Sequence, residues 1–577
     1  MAQIGLLARL LLPKVLLTSN YGSPNPLASR HIDNALVHSV ITGNEKTENI
    51  GVGNMRLLPK VVLMLFLGCT ITLPVYAQTY VKESIVKIYA VYKSPSYGEP
   101  WQMSGQMSRT GSGCIISGRR ILTNAHVVAD STFIQVKRAG EAKRYSAAVE
   151  QVAHECDLAI LKVTDDTFFS GITPVELGTL ADVRHKVAVH GFPQGGDELC
   201  ITEGVVSRVE HQHYTHSGAY LLSCQIDAAI NRGNSGGPVI KDNRIVGVAF
   251  QAGKGENIGY MVPVPVIKHF LKDVDDDNYD GIPDLALSFQ KMENPDIRRK
   301  YHMSRKQTGI LVNRIYYGSP AEGIFKSGDV ILSVEGADVE NDGTIEFRDG
   351  NRTSFLYLIQ NRFIHDTVEF KILRDNKIKL VKVKLTVPMN SCRLVPNKQY
   401  DVAPTYYIVG GLVFEPLTYN LLDVWAKTWG QKLALSNLVN YYARGEPTRE
   451  QKQLVVLVKV LADEVNVGYH DLMCNVISYV NGKRISSMKD LVDAFETNDA
   501  EYHNIKDERG YQIILERDKV HRSNKAILER YKVDSDRSED LRKPNGVDGH
   551  PPSIALSIPS DHSGTSSRVV GIAYRSP

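Results

Sequence analysis

Hydrophobic positions along this chain change rhythm from one region to the next. Between Tyr80 and about Lys272 they fall into short runs such as "SIVKIYAVY", "GCIISGRRILTNA", "FIQVKR", "VAVHGFP", "GVVSRVE" and "RIVGVAF", cut by Gly, Asn and Pro. Runs of this length and spacing, with few long helical patterns, predict an all-β sandwich or a pair of barrels over residues 78–272. An acidic linker, residues 273–284, ends that region. Two segments of mixed α/β pattern follow, 285–389 and 404–519. From about 520 to 577 the chain is polar, rich in Ser, Asp, Pro and Gly, and shows no sustained period, which predicts a disordered tail.

The N-terminus carries a different pattern. In "MRLLPKVVLMLFLGCTITLPVYAQ", Arg56 and Lys60 precede an apolar run, and Val75-Tyr76-Ala77 ends it before Gln78. A basic start, a short apolar stretch and a small-residue end predict a secretory signal peptide at 55–77. Translation is then expected to begin at Met55, with 1–54 an over-extended start or an N-terminal extension. The location expected on this ground is periplasmic or secreted.

Length and composition bound the rest. At 577 residues the chain exceeds one core, so roughly three or four domains are expected. A hydrophobic fraction of 43% and a charged fraction of 23% are ordinary for globular proteins. A net charge of +3 gives no reason to expect a nucleic-acid partner. Seven cysteines lie far apart, without C-x-x-C or zinc spacing, so no disulfide framework is indicated. Cys156 adjoins Asp157 and reads as a small core side chain.

The stretch "DAAINRGNSGGPVI" sets Ser235 among glycines behind an alternating apolar run. Upstream, "ILTNAHVV" places His126 after one strand-like run, and "HECDLAILKV" places Asp157 before another. The order His, Asp, Ser within a β-rich region is one in which serine triads occur. The chemistry needs each type. A serine hydroxyl becomes nucleophilic when an imidazole takes its proton, and a buried carboxylate holds that imidazole in one tautomer. Gly233 and Ser235 can turn backbone N–H groups toward an oxyanion, with Asn234 between them; each such donor contributes roughly a hundred- to a thousandfold in rate.

These stretches, with "GFPQGG" and "VGVAFQAGKGENIGYMVPVPVIKHFL", resemble the trypsin-like domain of the HtrA/Deg serine proteases. The likeness spans about residues 80–520 and lies nearest the plant-type Deg subgroup, which carries two PDZ domains behind the protease. The resemblance implies a double β-barrel protease domain followed by two α+β PDZ domains. It implies His126 as general base, Asp157 as its orienting acid, Ser235 as nucleophile, and Gly233, Asn234 and Ser235 around the oxyanion hole. It puts Ala228 and Ile230 by the primary specificity pocket, where they suit a small aliphatic side chain. It also implies assembly as homotrimers or multiples of trimers, and an oxyanion hole that is often distorted at rest.

The first PDZ-like stretch is "GILVNRIYYGSPAEGIFKSGDVILSVEGADVEND". Its carboxylate loop is expected near "DLALSF", where Ala286 stands in place of the family's frequent glycine. In the second, "YYIVGGLVFEPL" offers Gly410, Gly411 and Leu412 as a loop for a peptide's terminal carboxylate. In the acidic linker, Asp276, Asn278, Asp280 and Asp284 stand at positions one, three, five and nine of a loop, with Gly281 at six. Leu287 at position twelve excludes a full EF-hand, leaving an abbreviated calcium loop or a solvated linker.

No nucleotide-binding G-x-x-x-x-G-K-[ST] is evident, and no cofactor is required. The expected function is an ATP-independent serine endopeptidase degrading unfolded or damaged proteins. The alternative is a PDZ-bearing chaperone or binding protein whose protease fold is latent. An esterase fits less well, because α/β-hydrolases run Ser, Asp/Glu, His.

Overall fold

The computed structural model describes residues 81–252, 258–348, 350–429 and 434–542. All of them belong to one compact unit, residues 77–577. The candidate leader at 55–77 and residues 543–577 of the candidate tail lie outside the described residues.

The short runs of the first region fold into two closed six-stranded barrels. In the first, β1 (Ile85–Tyr92), β2 (Met107–Ile116), β3 (Arg120–Thr123), β4 (Ser131–Arg138), β5 (Tyr145–Ala153) and β6 (Leu158–Val163) close in the order β1-β2-β3-β6-β5-β4. In the second, β7 (Lys186–Gly191), β8 (Cys200–His213), β9 (Tyr220–Ile226), β10 (Pro238–Lys241), β11 (Arg244–Ala252) and β12 (Gly259–Pro263) close in the order β10-β11-β12-β9-β8-β7. Closure leaves no free edge. Inward positions fill the barrels: Val86, Ile88, Val136 and Leu161 in the first, Val187, Val206, Ile226 and Met261 in the second. The opposite faces of several strands are also apolar, and Ile85, Leu158, Phe192, Val248 and Phe270 seal the barrels against each other. That double burial explains why β6, "LAILKV", is nearly continuous in apolar residues rather than alternating.

A helix, Val264–Asp273, leaves the second barrel, and a 3-10 turn at Val274–Asp276 opens the acidic linker. The first mixed segment forms a five-strand path of Leu287–Lys291, Ile310–Ile315, Val330–Val334, Thr367–Arg374 and Lys377–Lys384 around its own core. It is fastened to the second barrel through His211, whose ring nitrogens meet Thr353 Oγ1 and Gln360 Oε1 at 2.9 Å each. His269 adds a stack on Phe363 and a 2.8 Å bond to the Arg362 carbonyl. Burial lowers the pKa of both histidines, favouring neutral rings.

The second mixed segment builds a sheet from Tyr407–Val409, Leu412–Pro416, Val455–Val460, Asn475–Val480, Tyr502–Asp507 and Gln512–Glu516. Here the expected boundary at 519 and the expected disorder from 520 do not hold. Residues Arg517–Tyr531 form a helix that buries Val520 and Ile527. Beyond it the Ile408 N–H donates to Asp536 O at 2.6 Å, and Ser538 N–H to Tyr406 O at 3.0 Å, tying the chain back to the sheet. Few apolar residues on a mostly charged helix suffice for this, because the partner surface is already formed.

Candidate active site

His126 sits second in a four-residue helix, Ala125–Val128, that begins where β3 ends. Asp157 lies in the tight turn before β6, with φ of 56°, and is only 1% exposed. Its two carboxylate oxygens serve one partner. Oδ1 accepts the His126 backbone N–H at 2.8 Å, and Oδ2 meets His126 Nδ1 at 2.7 Å. The Asp157 carbonyl accepts from Asn124 Nδ2 at 2.7 Å, so the residue before the helix grips the same turn. Burial alone would push the Asp157 carboxyl up; attraction to His126 and bonds from its ring and backbone outweigh it, and the pKa falls below the usual carboxylate value. The carboxylate therefore stays ionised. It fixes the proton on Nδ1 and leaves Nε2 as the basic nitrogen.

The backbone at Ser235 is linked through Ser112 to the strand that precedes His126. The Ser112 N–H donates to Ser235 O at 2.8 Å, and the Ser112 carbonyl accepts from Thr123 Oγ1 at 2.7 Å, three residues before His126. The approach is so close that a Cβ on Gly236 would lie 2.2 Å from both Ser112 O and Thr123 Oγ1. Only glycine fits there.

The turn before Ser235 presents its amides. Gly233 adopts φ of 101°, and a Cβ there would meet Phe192 O at 2.3 Å. The Arg232 carbonyl accepts from Gln194 N–H at 2.7 Å. Neither the Gly233 nor the Ser235 N–H has an acceptor among the described residues. Asn234 stands in the turn between these two residues. Its N–H is spent on Asn231 O at 3.0 Å, its carbonyl accepts from Gly237, and it is 1% exposed, so it shapes the turn and its N–H is not free for a ligand.

Comparisons with known proteins agree with this architecture. Residues 111–248 match the trypsin-like peptidase domain, and 283–385 and 395–540 each match a PDZ domain. Protease Do-like 4, mitochondrial, of Arabidopsis thaliana is 39% identical over 463 residues, which cover 80% of this chain and 85% of the relative. The chain belongs to the Do-like family of HtrA/Deg serine proteases. Protease Do-like 2, chloroplastic, of the same plant is 38% identical over 80% of this chain and 76% of its own. A serine protease DegP homolog of Plasmodium falciparum is 28% identical over 72% of this chain and 58% of its own. Among solved structures, HtrA-type protease AlgW with a decapeptide aligns at 20% identity, covering 54% of this chain and 98% of that one, with a TM-score of 0.43. This Do-like protein is thus a serine endopeptidase with two PDZ domains. The mitochondrial and chloroplastic names of its plant relatives differ from the periplasmic or secreted location that residues 55–77 predict.

In this Do-like protease, Ala228 is buried and Ile230 half-buried, both facing Gly259 of β12. A Cβ on Gly259 would lie 2.6 Å from Ile230 Cδ1 and 3.0 Å from Ala228 O, so the isoleucine occupies space that any other residue at 259 would take. The neighbouring Asp227 is turned away: its Oδ1 accepts from Val205 N–H at 2.5 Å.

The expected carboxylate loop of the second PDZ domain is a closed hairpin turn. Gly410 and Gly411, at φ of 55° and 82°, join Tyr407–Val409 to Leu412–Pro416 in antiparallel register. The Gly410 N–H is taken by Asn524 Oδ1 at 3.0 Å, from the helix Arg517–Tyr531, and Leu412 is fully buried. Tyr407 packs toward Phe495 of the helix Met488–Glu496, so a segment of the chain itself fills the space beside the strand. Gly410, Gly411 and Leu412 therefore offer no free cradle. In the first PDZ domain, Ala286 takes φ of 45°, a glycine-like conformation, and its N–H donates to Asp284 Oδ1 at 3.2 Å. A carboxylate of the chain already engages that loop.

In the acidic linker, Asp276, Asn278 and Asp280 lie together, and Asp284 bonds elsewhere. Asn278 N–H and Nδ2 bond Asp276 and Asp280, while Asp284 turns to Ala286. Among the described residues no group of three acidic, His or Cys side chains could hold a metal. All six described cysteines are unpaired, and burial pushes the Cys156 thiol far up.

Ser112 is a residue of the candidate site that sequence reasoning passed over. Fully buried, its Oγ donates to Gly233 O at 2.7 Å and accepts from Phe192 N–H at 2.8 Å. The signal was a serine between two glycines, Gly111 and Gly113, inside a strand.

Proposed function

We propose that this protease degrades unfolded or damaged polypeptides without nucleotide hydrolysis, through an acyl-enzyme on Ser235. The His126 Nε2 takes the Ser235 proton as Oγ attacks the scissile carbonyl, and returns it to the leaving amine; water then enters by the same route. Asp157 holds the imidazolium. Gly233 and Ser235 N–H groups receive the oxyanion. The observation that carries this reading is the Asp157 carboxylate bonded to both the backbone and the ring of His126, beside a serine turn whose amides are unspent.

Apolar Ile230 and Ala228, with Asp227 turned aside, support a preference for small aliphatic side chains before the cut. The resemblance supports a trimer or a multiple of trimers as the working assembly. The leader-like run supports delivery across a membrane, and the relatives' names make an organelle the alternative to the periplasm.

The test is cleavage of unfolded casein by the chain beside Ser235→Ala. Turnover lost in the variant supports the reading. No turnover by either, with aggregation of a client suppressed, would favour a latent protease acting as a chaperone.

A further inference from the structure

We propose that Asp401, in the segment leading into the first strand of the second PDZ domain, is a positioning residue of the active site, whose carboxylate ties together the two backbone segments that carry the base and the acid. The proposal rests on the reading of His126 and Asp157 in those roles.

The first segment is the helix of His126. It ends at Ala129, and the next residue, Asp130, takes φ of 55°. The Asp130 N–H donates to Asp401 Oδ1 at 2.5 Å, and the Asp401 N–H returns a bond to Asp130 Oδ1 at 2.8 Å. This reciprocal pair locks that segment to the exit of the helix. Arg109 holds the helix from the other side, donating to the carbonyls of His126 and Ala129 at 2.6 and 2.9 Å.

The second segment is the turn of Asp157, whose N–H donates to His154 O at 3.3 Å. The remaining oxygen of Asp401 accepts from His154 Nε2 at 2.8 Å. His154 Nδ1 then shares a 2.9 Å hydrogen bond with His216 Nε2, and the His216 ring stands 6.0 Å from the His126 ring. Tyr400 covers this pair, stacked at 3.9 Å on His216 with its hydroxyl donating to His216 O at 2.9 Å. Burial drives His216 down to about 3, so the ring beside the base is neutral and packs as part of a wall.

One rigid carboxylate thus has an oxygen on each segment. Releasing it frees the helix exit and the His154 turn to shift against each other, and a shift of about 1 Å at a catalytic pair costs up to a hundredfold. Nothing in this geometry touches substrate, so binding is untouched while the proton transfer suffers. Residues some 270 positions apart in sequence meet here, which makes this opening stretch of the second PDZ domain a support of the protease site.

The experiment compares the full chain with Asp401→Ala and Asp401→Asn. It reads kcat and KM on fluorescein-labelled unfolded casein, Tm, and the low-field proton resonance of the His126 Nδ1–H. Asp401→Ala is expected to lower kcat about ten- to a hundredfold with KM within about twofold, and to move the resonance. Asp401→Asn, whose amide oxygen can keep one of the two bonds, is expected to fall between. A kcat within about twofold of the parent, or an unmoved resonance, in either folded variant would overturn the proposal. If the alanine variant does not fold, the asparagine variant decides. Failure of the triad reading shows separately, as turnover that survives Ser235→Ala; in a chain with no turnover, the resonance alone decides whether Asp401 positions the pair.

Discussion

The carbonyl of Arg232 accepts a hydrogen bond from the amide of Gln194 at 2.7 Å, which turns the Gly233 N–H to the opposite side of a trans peptide. That one bond orients the amide proposed as a donor of the oxyanion hole. The resemblance to HtrA proteases implies a hole often distorted at rest, and a flipped Arg232–Gly233 peptide would break the Gln194 bond. Ser112 secures the next peptide by holding Gly233 O.

Ser112→Ala is therefore expected to lower kcat by roughly ten- to a hundredfold while leaving KM nearly unchanged. It strands a buried Gly233 carbonyl and a buried Phe192 N–H, a loss of about 1–3 kcal/mol. Steady-state kinetics on casein with a parallel melting curve separates the two effects. An unaltered kcat in a folded variant would show that the turn holds without its hydroxyl.

Asp157→Asn leaves the shape of the site but not its electrostatics. An amide can accept from only one of the two His126 donors, so the ring loses the carboxylate that fixes its tautomer and steadies its charge. The expected loss in kcat is about ten-thousandfold near neutral pH. Activity within about tenfold of the parent would remove Asp157 from the mechanism.

Gly411→Ala tests the closed turn of the second PDZ domain. With φ of 82° and a would-be Cβ 2.3 Å from Leu461 O, the substitution forces the hairpin apart. The expected cost is roughly 1–3 kcal/mol, read as a lower Tm. Gly482, also at positive φ but with open space around it, is the comparison and should lose less.

Asp273 gives a pH dependence with a definite sign. Burial, then the nearby Asp280 and Asp276, raises its pKa from 3.8 to about 6, although its Oδ2 accepts the Gly281 N–H. The folded chain thus holds this proton more tightly than the unfolded chain does, so stability falls as pH rises from about 4 to 6. Asp273→Asn keeps an acceptor for Gly281 and removes that slope. The variant should gain of order 1 kcal/mol over the parent between pH 4.5 and 7.5, after allowance for solvent screening. Melting curves at both pH values check it, and a constant difference would contradict it.

The barrels were legible because their strands are short, apolar and punctuated by turn residues, and the peptidase family because its stretches recur in one order. Other features were not. Helix Arg517–Tyr531 hides in a charged sequence because only Val520 and Ile527 are buried against a sheet formed earlier in the chain. Gly410-Gly411 reads equally as an anion loop or a hairpin turn, and the side chain that decides, Asn524, is 114 residues away. Asp401 carries no local signal at all. Its partners Asp130 and His154 belong to another domain, and only the folded chain brings them together.

The central claim is that Ser235 is an activated nucleophile beside a formed oxyanion hole. It is tested most directly by incubating the chain with a fluorophosphonate, then locating the adduct by peptide mass. One adduct per chain, on the peptide containing Ser235 and absent from His126→Ala, is the predicted result. Absence of label at Ser235 in the folded parent chain, or equal labelling in the His126 variant, would contradict the account.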